Sequence, residues 1–309
     1  MTKKPIINIF KEKFVKYISL FSSLLILIII LGIIISLFKE SFPAFLKFGI
    51  IDFIFSTTWD YGSEVYAAGR ALMGSIFTSI IAILIAAPLG IGMAVFIVEI
   101  CPKFLKGFIS SSIELLAAIP SIIYGMWGLF MFAPFIEQTI QKWSSLYLTK
   151  IPLIGSFFQV NYAGGIGLLT SGIVLSIMIV PFIASITREA LVRVPKELKE
   201  SSYGIGAEKW ETIRDISIGY SKKAIFGGII IAFGRAVGET MAIAYIIGSM
   251  NISLTSIFDP YITVTSVLVN EFNEAGSLQL SSLYYMALVL FVINFIILIS
   301  AKLYINRAK

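Results

Sequence analysis

Long apolar runs that contain no charged residue recur along this chain. Five of them are uninterrupted, at residues 17–38, 71–98, 115–136, 162–187 and 281–301. A sixth run, 224–249, is interrupted by Arg235 and Glu239. A helix rises 1.5 Å per residue and needs about 20 apolar residues to cross the hydrocarbon core of a bilayer. The pattern therefore predicts six transmembrane helices.

Composition supports an all-α integral membrane protein. Of the 309 residues, 58% are hydrophobic and 14% are charged, whereas soluble domains are about half apolar and a quarter charged. The first run is longer than the 7–15 apolar residues of a signal peptide, and no small-residue cleavage site follows it, so we expect it to be retained. The chain has one cysteine and no histidine, which excludes an internal disulfide and an imidazole-based metal or proton-relay site. No metal site is predicted.

Basic residues predict the orientation. Six spans place both termini on one side of the membrane, and most of the 24 lysines and arginines fall on that side. The few on the opposite side are Lys39, Lys47, Arg70, Lys142 and Lys150. By the positive-inside rule, both termini are cytoplasmic. The basic arm, residues 1–16, is interpreted as a topology and anionic-lipid anchor, because it lacks the pattern that nucleic-acid binding needs. Residues 17–69 form the first span and an aromatic outer segment, and 70–305 the membrane core.

Three prolines, Pro88, Pro120 and Pro181, lie inside predicted spans. Proline removes a backbone donor and frees a carbonyl one turn earlier. Such breaks survive in a membrane where protein or a water-filled cavity satisfies the freed groups. Ordinary kinks and a role in shaping a transport pathway both remain open for these positions.

The longest cytoplasmic connection, 188–223, is predicted to fold as two short helices. Pro195 can start the first, since proline suits a helix start, and glycines up to Gly206 can end it. Apolar residues from Trp210 to Ile216 have helical spacing for the second. The segment is interpreted as a compact docking knob, with an amphipathic helix lying on lipid as the alternative.

The interrupted run contains the charged residues that are the best candidates for a functional site. Arg235 lies roughly 16 Å into the run at 1.5 Å per residue, where a charge costs at least about 2.5–3.5 kcal/mol. On a continuous helix, Glu239 follows one turn later and shares its stripe. Gly234 and Gly238 form an adjoining stripe that permits close approach of another helix. The sequence thus predicts a cation, an anion and a packing face side by side.

Two readings of this charged pair are open. In the first, Arg235 and Glu239 neutralise each other and serve structure only. In the second, the pair selects an anion, because a guanidinium matches a tetrahedral oxyanion with two parallel hydrogen bonds. Glu239 could accept a hydrogen bond from a protonated phosphate and repel sulfate, which carries no proton near neutral pH. We favour anion contact by Arg235, with Glu239 as either a selectivity residue or a counter-ion.

Residues 233–242, Phe-Gly-Arg-Ala-Val-Gly-Glu-Thr-Met-Ala, resemble the signature of the phosphate importer permeases, and the Met-Ala pair resembles the PstC-type subunit. Residues 118–125 and 165–181 also resemble that subunit. The spacing of Glu200, Gly206 and Ile216 is similar to the Glu-Ala-Ala coupling loop of ABC-importer permeases. Two serines, starting at Ser201, replace the usual alanines, and Ile-Gly replaces the usual Leu-Pro after Ile216.

The resemblance implies a type I ABC importer permease fold and a bacterial cytoplasmic-membrane location. It implies a second homologous permease subunit, an ATPase subunit dimer, an extracytoplasmic phosphate-binding protein, membrane lipid as surroundings and inorganic phosphate as substrate. The implied pathway residues are Arg235, Glu239 and Thr240. The implied ATPase coupling residues are Glu200, Ser201, Gly206, Ala207, Trp210 and Ile216.

The chain has no nucleotide-binding motif. We therefore expect a transport subunit that is not an enzyme and needs no cofactor of its own, with ATP used by partner subunits and no nucleic-acid partner. Two alternatives stay open. One is a permease of the same architecture for sulfate, molybdate or phosphonate, and the other is an ATP-independent transporter.

Overall fold

A computed structural model describes residues 6–152, 154–252 and 254–307 of the chain, and the described part is mainly helical. The helices are α1 (Ile6–Phe48), α2 (Ile51–Phe55), α3 (Gly69–Val95), α4 (Lys103–Ala118), α5 (Ser121–Trp127), α6 (Ala133–Ile136), α7 (Lys142–Tyr147), α8 (Leu168–Val192), α9 (Lys196–Gly204), α10 (Lys209–Glu211), α11 (Gly219–Val237), α12 (Met241–Ile246), α13 (Val264–Glu271) and α14 (Ser277–Arg307). Two short strands, β1 (Trp59–Asp60) and β2 (Val65–Tyr66), pair antiparallel. π-helical turns extend several helices, at Phe96–Ile100, Gly128–Phe132, Glu137–Gln141 and Thr212–Ile218.

Five helical stretches of the described chain are long and apolar enough to cross a membrane, and a sixth is obtained if a bent pair counts as one span. The five are Phe14–Phe48, Gly69–Ile100, Leu168–Val192, Lys209–Val237 and Ser277–Leu303. The prediction of a multi-span, all-helical membrane protein is confirmed. Which side of the membrane holds the termini stays a prediction from charge.

The third predicted span is present as a bent pair of helices, and the bend lies at Pro120, where a kink was one of the two open interpretations. The apolar run 115–136 crosses a bend of 86° between the stretches Lys103–Ala118 and Ser121–Lys150. Ile119 is extended at the bend, with φ −66° and ψ 128°, because a residue that precedes proline is disfavoured in the helical region. Pro120 therefore separates two helices. Pro88 and Pro181 lie inside α3 and α8, which stay continuous.

The sixth apolar run also breaks, contrary to the predicted continuous helix over 224–249. Helix α11 ends at Val237, and α12 starts only at Met241. Gly238 closes the first helix with φ −90° and ψ 2°. The two breaks are neighbours, because α5 packs on α12 so closely that a Cβ on Gly125 would lie 3.0 Å from the Ala242 Cα.

Small residues let the central helices approach one another. A Cβ added to Gly172 would lie 2.5 Å from Ile81, which brings α8 against α3. One added to Gly228 would lie 2.7 Å from Ile186, which brings α11 against α8. The predicted packing glycines are less tight: the nearest heavy atom to a Cβ on Gly234 would be 3.6 Å away, on Leu298 of α14. Close approach without a hydrophobic driving force is typical of membrane helices.

The aromatic outer segment packs partly inside the protein. Aromatic rings beside a membrane span are often found at the membrane–water interface, yet Phe53 and Tyr66 are buried in the protein. Phe53 stacks on Tyr285 of α14 with centroids 4.1 Å apart, and Trp59 meets Tyr66 edge to face at 5.0 Å. Burial of such large rings fastens the outer segment to α14.

Candidate functional site

Arg235 lies in the last turn of α11, one turn before the helix break, and its side chain is exposed on the surface of this chain. Its guanidinium carbon sits 5.7 Å from the ring centroid of Phe182 on α8. A cation over an aromatic face is attracted by the ring quadrupole. Over the described ranges, no ion pair links Arg235 to a carboxylate. The cation is therefore held by a neutral ring and is open to an anion.

Glu239 occupies the break rather than the next turn of the same helix. Its carboxylate accepts a hydrogen bond from the Ala242 N–H at 3.5 Å, at the start of α12. Its backbone carbonyl accepts a hydrogen bond from the Thr265 hydroxyl at 2.6 Å. The stripe that the sequence predicted for Arg235 and Glu239 assumed a continuous helix and is wrong. The self-neutralising ion pair is likewise not formed.

Thr240 completes the break. Its hydroxyl donates to the Gly238 carbonyl at 3.3 Å, and its own carbonyl accepts from the Ala244 N–H at 3.0 Å. The three predicted pathway residues therefore lie together on one unwound segment and its preceding turn. An unwound segment at membrane depth is tolerated only when it is enclosed by protein or faces a watery cavity.

Asn294 faces the same break from α14, and sequence reasoning missed it. Its amide nitrogen lies 3.8 Å from the position that a Cβ on Gly238 would take. Its amide oxygen is buried and has no hydrogen-bond partner within residues 6–152, 154–252 and 254–307. A buried acceptor without a partner is costly. The sequence feature that could have identified Asn294 is that it is the one amide side chain in the apolar run 281–301.

The segment 188–223 forms the predicted knob with one difference. Helix α9 follows Pro195, which is extended, and Gly206 takes the left-handed conformation with φ +88°, as a glycine turn requires. The second helix is not a separate element. Helix α10 and the π turn Thr212–Ile218 run directly into α11, so Lys209–Val237 is one helical stretch.

The outward surface of the knob is apolar at its tip. Ile205 is 87% exposed and Trp210 is 61% exposed. Glu200 and Ser201 are also exposed, whereas Ala207 and Ile216 are half-buried. Large apolar side chains left bare in this way are typical of an interaction surface. The predicted coupling residues thus form one knob, of which only part is accessible.

A hydrogen-bonded cluster connects the β1–β2 pair to helices α13 and α14. The Trp59 indole and the Gln279 amide both donate to one Glu271 carboxylate oxygen, at 3.0 and 3.1 Å. Burial and then a hydrogen bond to Glu271 raise the pKa of Tyr61 to about 12. Among the described residues, no group of three or more His, Cys, Asp or Glu side chains could hold a metal ion.

Comparison with known proteins gives a consistent result. The family of binding-protein-dependent transport system inner membrane components matches residues 86–309. The phosphate transport system permease protein PstC of Mesorhizobium japonicum is 46% identical over 288 residues, covering 93% of this chain and 87% of that protein. The protein of the same name from Haemophilus influenzae is 42% identical over 298 residues, covering 96% and 94%.

Solved ABC importers share the fold. A bacterial ABC transporter involved in the import of the acidic polysaccharide alginate superposes with a TM-score of 0.60 at 14% identity, covering 98% of this chain and 99% of that chain. An inward-facing MetNI methionine ABC transporter gives a TM-score of 0.54 at 16% identity, covering 78% and 94%. The type I ABC importer permease fold is therefore confirmed.

Proposed function

Because this chain belongs to the family of binding-protein-dependent transport system inner membrane components, we propose that Arg235 and the helix break beside it handle the anion that the transporter carries. The chain is a permease subunit of a phosphate ABC transporter, as its PstC relatives indicate over most of its length. It is a multi-pass membrane protein and not an enzyme. ATP hydrolysis belongs to partner subunits.

One observation carries the assignment of the site. Arg235 is a permanently charged group within an apolar helical stretch, and no carboxylate of the described chain pairs with it. A guanidinium offers several donors in a plane, which suits a phosphate better than a point charge does. The Phe182 ring is uncharged, so it holds the guanidinium in place without neutralising its positive charge. An arriving phosphate can therefore supply the missing counter-ion.

Glu239 has a different role from Arg235. Its carboxylate accepts a hydrogen bond from the Ala242 N–H in the first turn of α12. It sets a negative charge beside the pathway, where it can accept a hydrogen bond from a protonated phosphate. Sulfate has no proton to offer and is repelled. Thr240, in the same unwound segment, offers a hydroxyl. Glu239 thus favours phosphate over sulfate, while Arg235 provides the binding energy.

The family implies a second permease, ATPase subunits and a substrate-binding protein as partners. At the finer level, the second permease is homologous to this chain, the ATPases form a dimer that docks on the knob, and the binding protein delivers inorganic phosphate from outside. The chain itself needs no cofactor. The location that fits these partners is a bacterial cytoplasmic membrane.

Uptake by the reconstituted transporter tests this function. Proteoliposomes that hold both permeases and the ATPases, with the binding protein added outside and ATP inside, should accumulate labelled phosphate. Arg235→Ala should lower uptake about 10- to 100-fold, since a hydrogen bond to a charged group is worth about 1.5–3 kcal/mol. Arg235→Lys should retain part of it. Lys302→Ala, which removes an exposed cation at the far end of α14, is the matched control and should transport normally.

Sulfate competition tests the selectivity step. Glu239→Gln should admit sulfate that the wild type excludes, because the repelling charge is gone. Unchanged uptake of both anions in Glu239→Gln would remove this residue from the selectivity mechanism. Uptake of phosphate that needs no ATP would refute the ATP-driven function, and uptake that survives Arg235→Ala in full would refute the assignment of the site.

A further inference from the structure

A single carboxylate connects three parts of the chain at the foot of the membrane helices. Glu99 lies in the π turn Phe96–Ile100 that ends the second span. Its Oε1 accepts a hydrogen bond from the Lys199 ammonium of α9 at 2.6 Å. The same oxygen accepts a hydrogen bond from the Ser217 hydroxyl at 2.9 Å. The partners are 100 and 118 residues away along the chain.

This ion pair differs from the others in its burial. The side chains of Lys199 and Glu99 are 20% and 13% exposed. In each of the other described ion pairs, at least one side chain is more than half exposed. Exposed pairs are screened by salt and contribute little, whereas a shielded pair holds its geometry. The ion pair between Glu99 and Lys199 can therefore hold α9 in a fixed position relative to the second span.

Neighbouring contacts fasten the inner side of the knob to the same place. The Ser202 hydroxyl of α9 and the Thr212 hydroxyl share a buried hydrogen bond of 2.9 Å. Ile213 is buried against Ala94 and Leu191, at the ends of the second and fourth spans. Helix α9 is therefore bound to the membrane helices on one side, while the tip of the knob is bare on the other.

The geometry on the membrane side favours transmission of movement. Ser217 lies in the π turn Thr212–Ile218, and from there the helix continues without a break to Val237. Arg235 lies 18 residues after Ser217, which corresponds to about 27 Å along the helix at 1.5 Å per residue. Both Glu99 and Ser217 sit in π turns, which occur frequently at functional sites. A shift of α9 therefore reaches Arg235 through one continuous helix.

We propose that Glu99 is the joint through which the docking knob drives the second and fifth spans. It is a positioning residue: it touches neither anion nor nucleotide, and it links movement of a docked ATPase to the Arg235 site. The inference rests on the proposed function and adds the element that couples hydrolysis to transport. Loss of the joint should leave an ATPase that still hydrolyses ATP while the membrane helices no longer follow it.

The experiment measures phosphate taken up per ATP hydrolysed in proteoliposomes of the complete transporter. Glu99→Gln and Lys199→Met should keep the ATPase bound and its hydrolysis stimulated by the binding protein. Uptake per ATP should fall about fivefold or more, as expected for residues coupled in one network. The charge swap Glu99→Lys with Lys199→Glu should restore much of the ratio. Each single charge reversal should not.

Glu114→Gln is the matched control, because it breaks an exposed ion pair with Arg188 and should leave the ratio unchanged. If Glu99→Gln does not assemble, Ser217→Ala decides the matter, since it keeps the ion pair and removes only the tie to the fifth span. An unchanged ratio in the assembled variants overturns the proposal. Parallel loss of hydrolysis and uptake that the charge swap does not rescue overturns it as well. A wild-type complex that imports another anion would refute phosphate transport alone, and that anion's ratio to ATP would still test the joint.

Discussion

Asp259 offers the sharpest test of what organises the loop before α13. It is fully buried, and its carboxylate accepts four hydrogen bonds. The donors are the Asn161 amide at 2.8 Å, the Thr255 N–H at 3.1 Å, the Thr255 hydroxyl at 2.8 Å and the Ser256 N–H at 2.8 Å. Its backbone carbonyl accepts from the Leu168 N–H at 3.1 Å. The residue thus fixes the loop before α13 against the start of α8.

The cost of removing this carboxylate follows from its partners. Asp259→Ala strands the buried N–H of Ser256 and the part-buried N–H of Thr255. Each unsatisfied buried donor costs about 1–3 kcal/mol, and the part-buried one lies at the low end of that range. Two such donors cost about 2–6 kcal/mol together. Since the alanine variant also avoids the cost of burying a charge, we expect a net loss of about 2–4 kcal/mol. Asp259→Asn can keep its oxygen toward three donors while Asn161 turns its amide. The asparagine variant therefore loses only the charge assistance, about 2 kcal/mol.

Thermal unfolding of the detergent-solubilised transporter, with a fluorescent tag on this chain, measures the effect. At about 2–4 °C per kcal/mol for domains of a few hundred residues, Asp259→Ala should lower the midpoint by roughly 4–16 °C. Asp259→Asn should lower it by roughly 4–8 °C.

Asp60 is the control, because its carboxylate accepts similar hydrogen bonds but is exposed to solvent. Asp60 accepts hydrogen bonds from Gly62 and Ser63 in an exposed turn, and those bonds lower its pKa. Because water replaces the lost acceptor there, Asp60→Ala should leave the midpoint nearly unchanged. If Asp259→Ala is no worse than Asp60→Ala, the reasoning from buried donors is refuted.

Three further predictions concern packing, docking and pH. Gly74→Ala would place a Cβ 1.9 Å from a carbonyl oxygen of the outer loop, so it should reduce the yield of folded protein in size-exclusion profiles, whereas Gly92→Ala, with nothing within 4 Å, should not. Trp210→Ala removes a side chain that is 61% exposed, so it should weaken co-purification of the ATPase and leave thermal stability unchanged; a stable complex would contradict its docking role. Because burial and then Glu271 raise the pKa of Tyr61 to about 12, folding favours the neutral phenol. Stability should therefore fall as the pH rises above about 10, the pKa of a free tyrosine, and Tyr61→Phe should lose less over that interval; equal slopes would contradict it.

The helical framework was readable from the sequence. Five of the six apolar runs, four uninterrupted ones and the run that contains Arg235, match five membrane-crossing helices. This was possible because the length needed to cross a bilayer and a high apolar content are properties of a single segment. The helix start and the turn of the knob could also be predicted from local sequence. Its first helix follows Pro195, and the turn at Gly206 has a positive φ, since proline and glycine act on their own backbone.

The break beside Arg235 could not be read in the same way. Gly238 is compatible with a packing contact in a continuous helix and with a helix end, and the sequence alone favoured the first. The tertiary structure supplies the second, because Thr265, from another segment, donates a hydrogen bond to the freed Glu239 carbonyl. Unwound backbone inside a membrane needs such partners. Their presence depends on contacts between distant segments.

The features of the candidate site also fall into two groups, those that the sequence determined and those that depend on packing. The sequence by itself determined that Arg235 is a charge in an apolar segment and that Glu239 and Thr240 lie close by. Only the tertiary structure decided that Phe182 and not Glu239 holds the guanidinium, that Asn294 faces the break, and that Glu99 joins the knob to two spans. Charge in an apolar run is visible in one segment, whereas the identity of its neighbours is fixed by how separate helices pack.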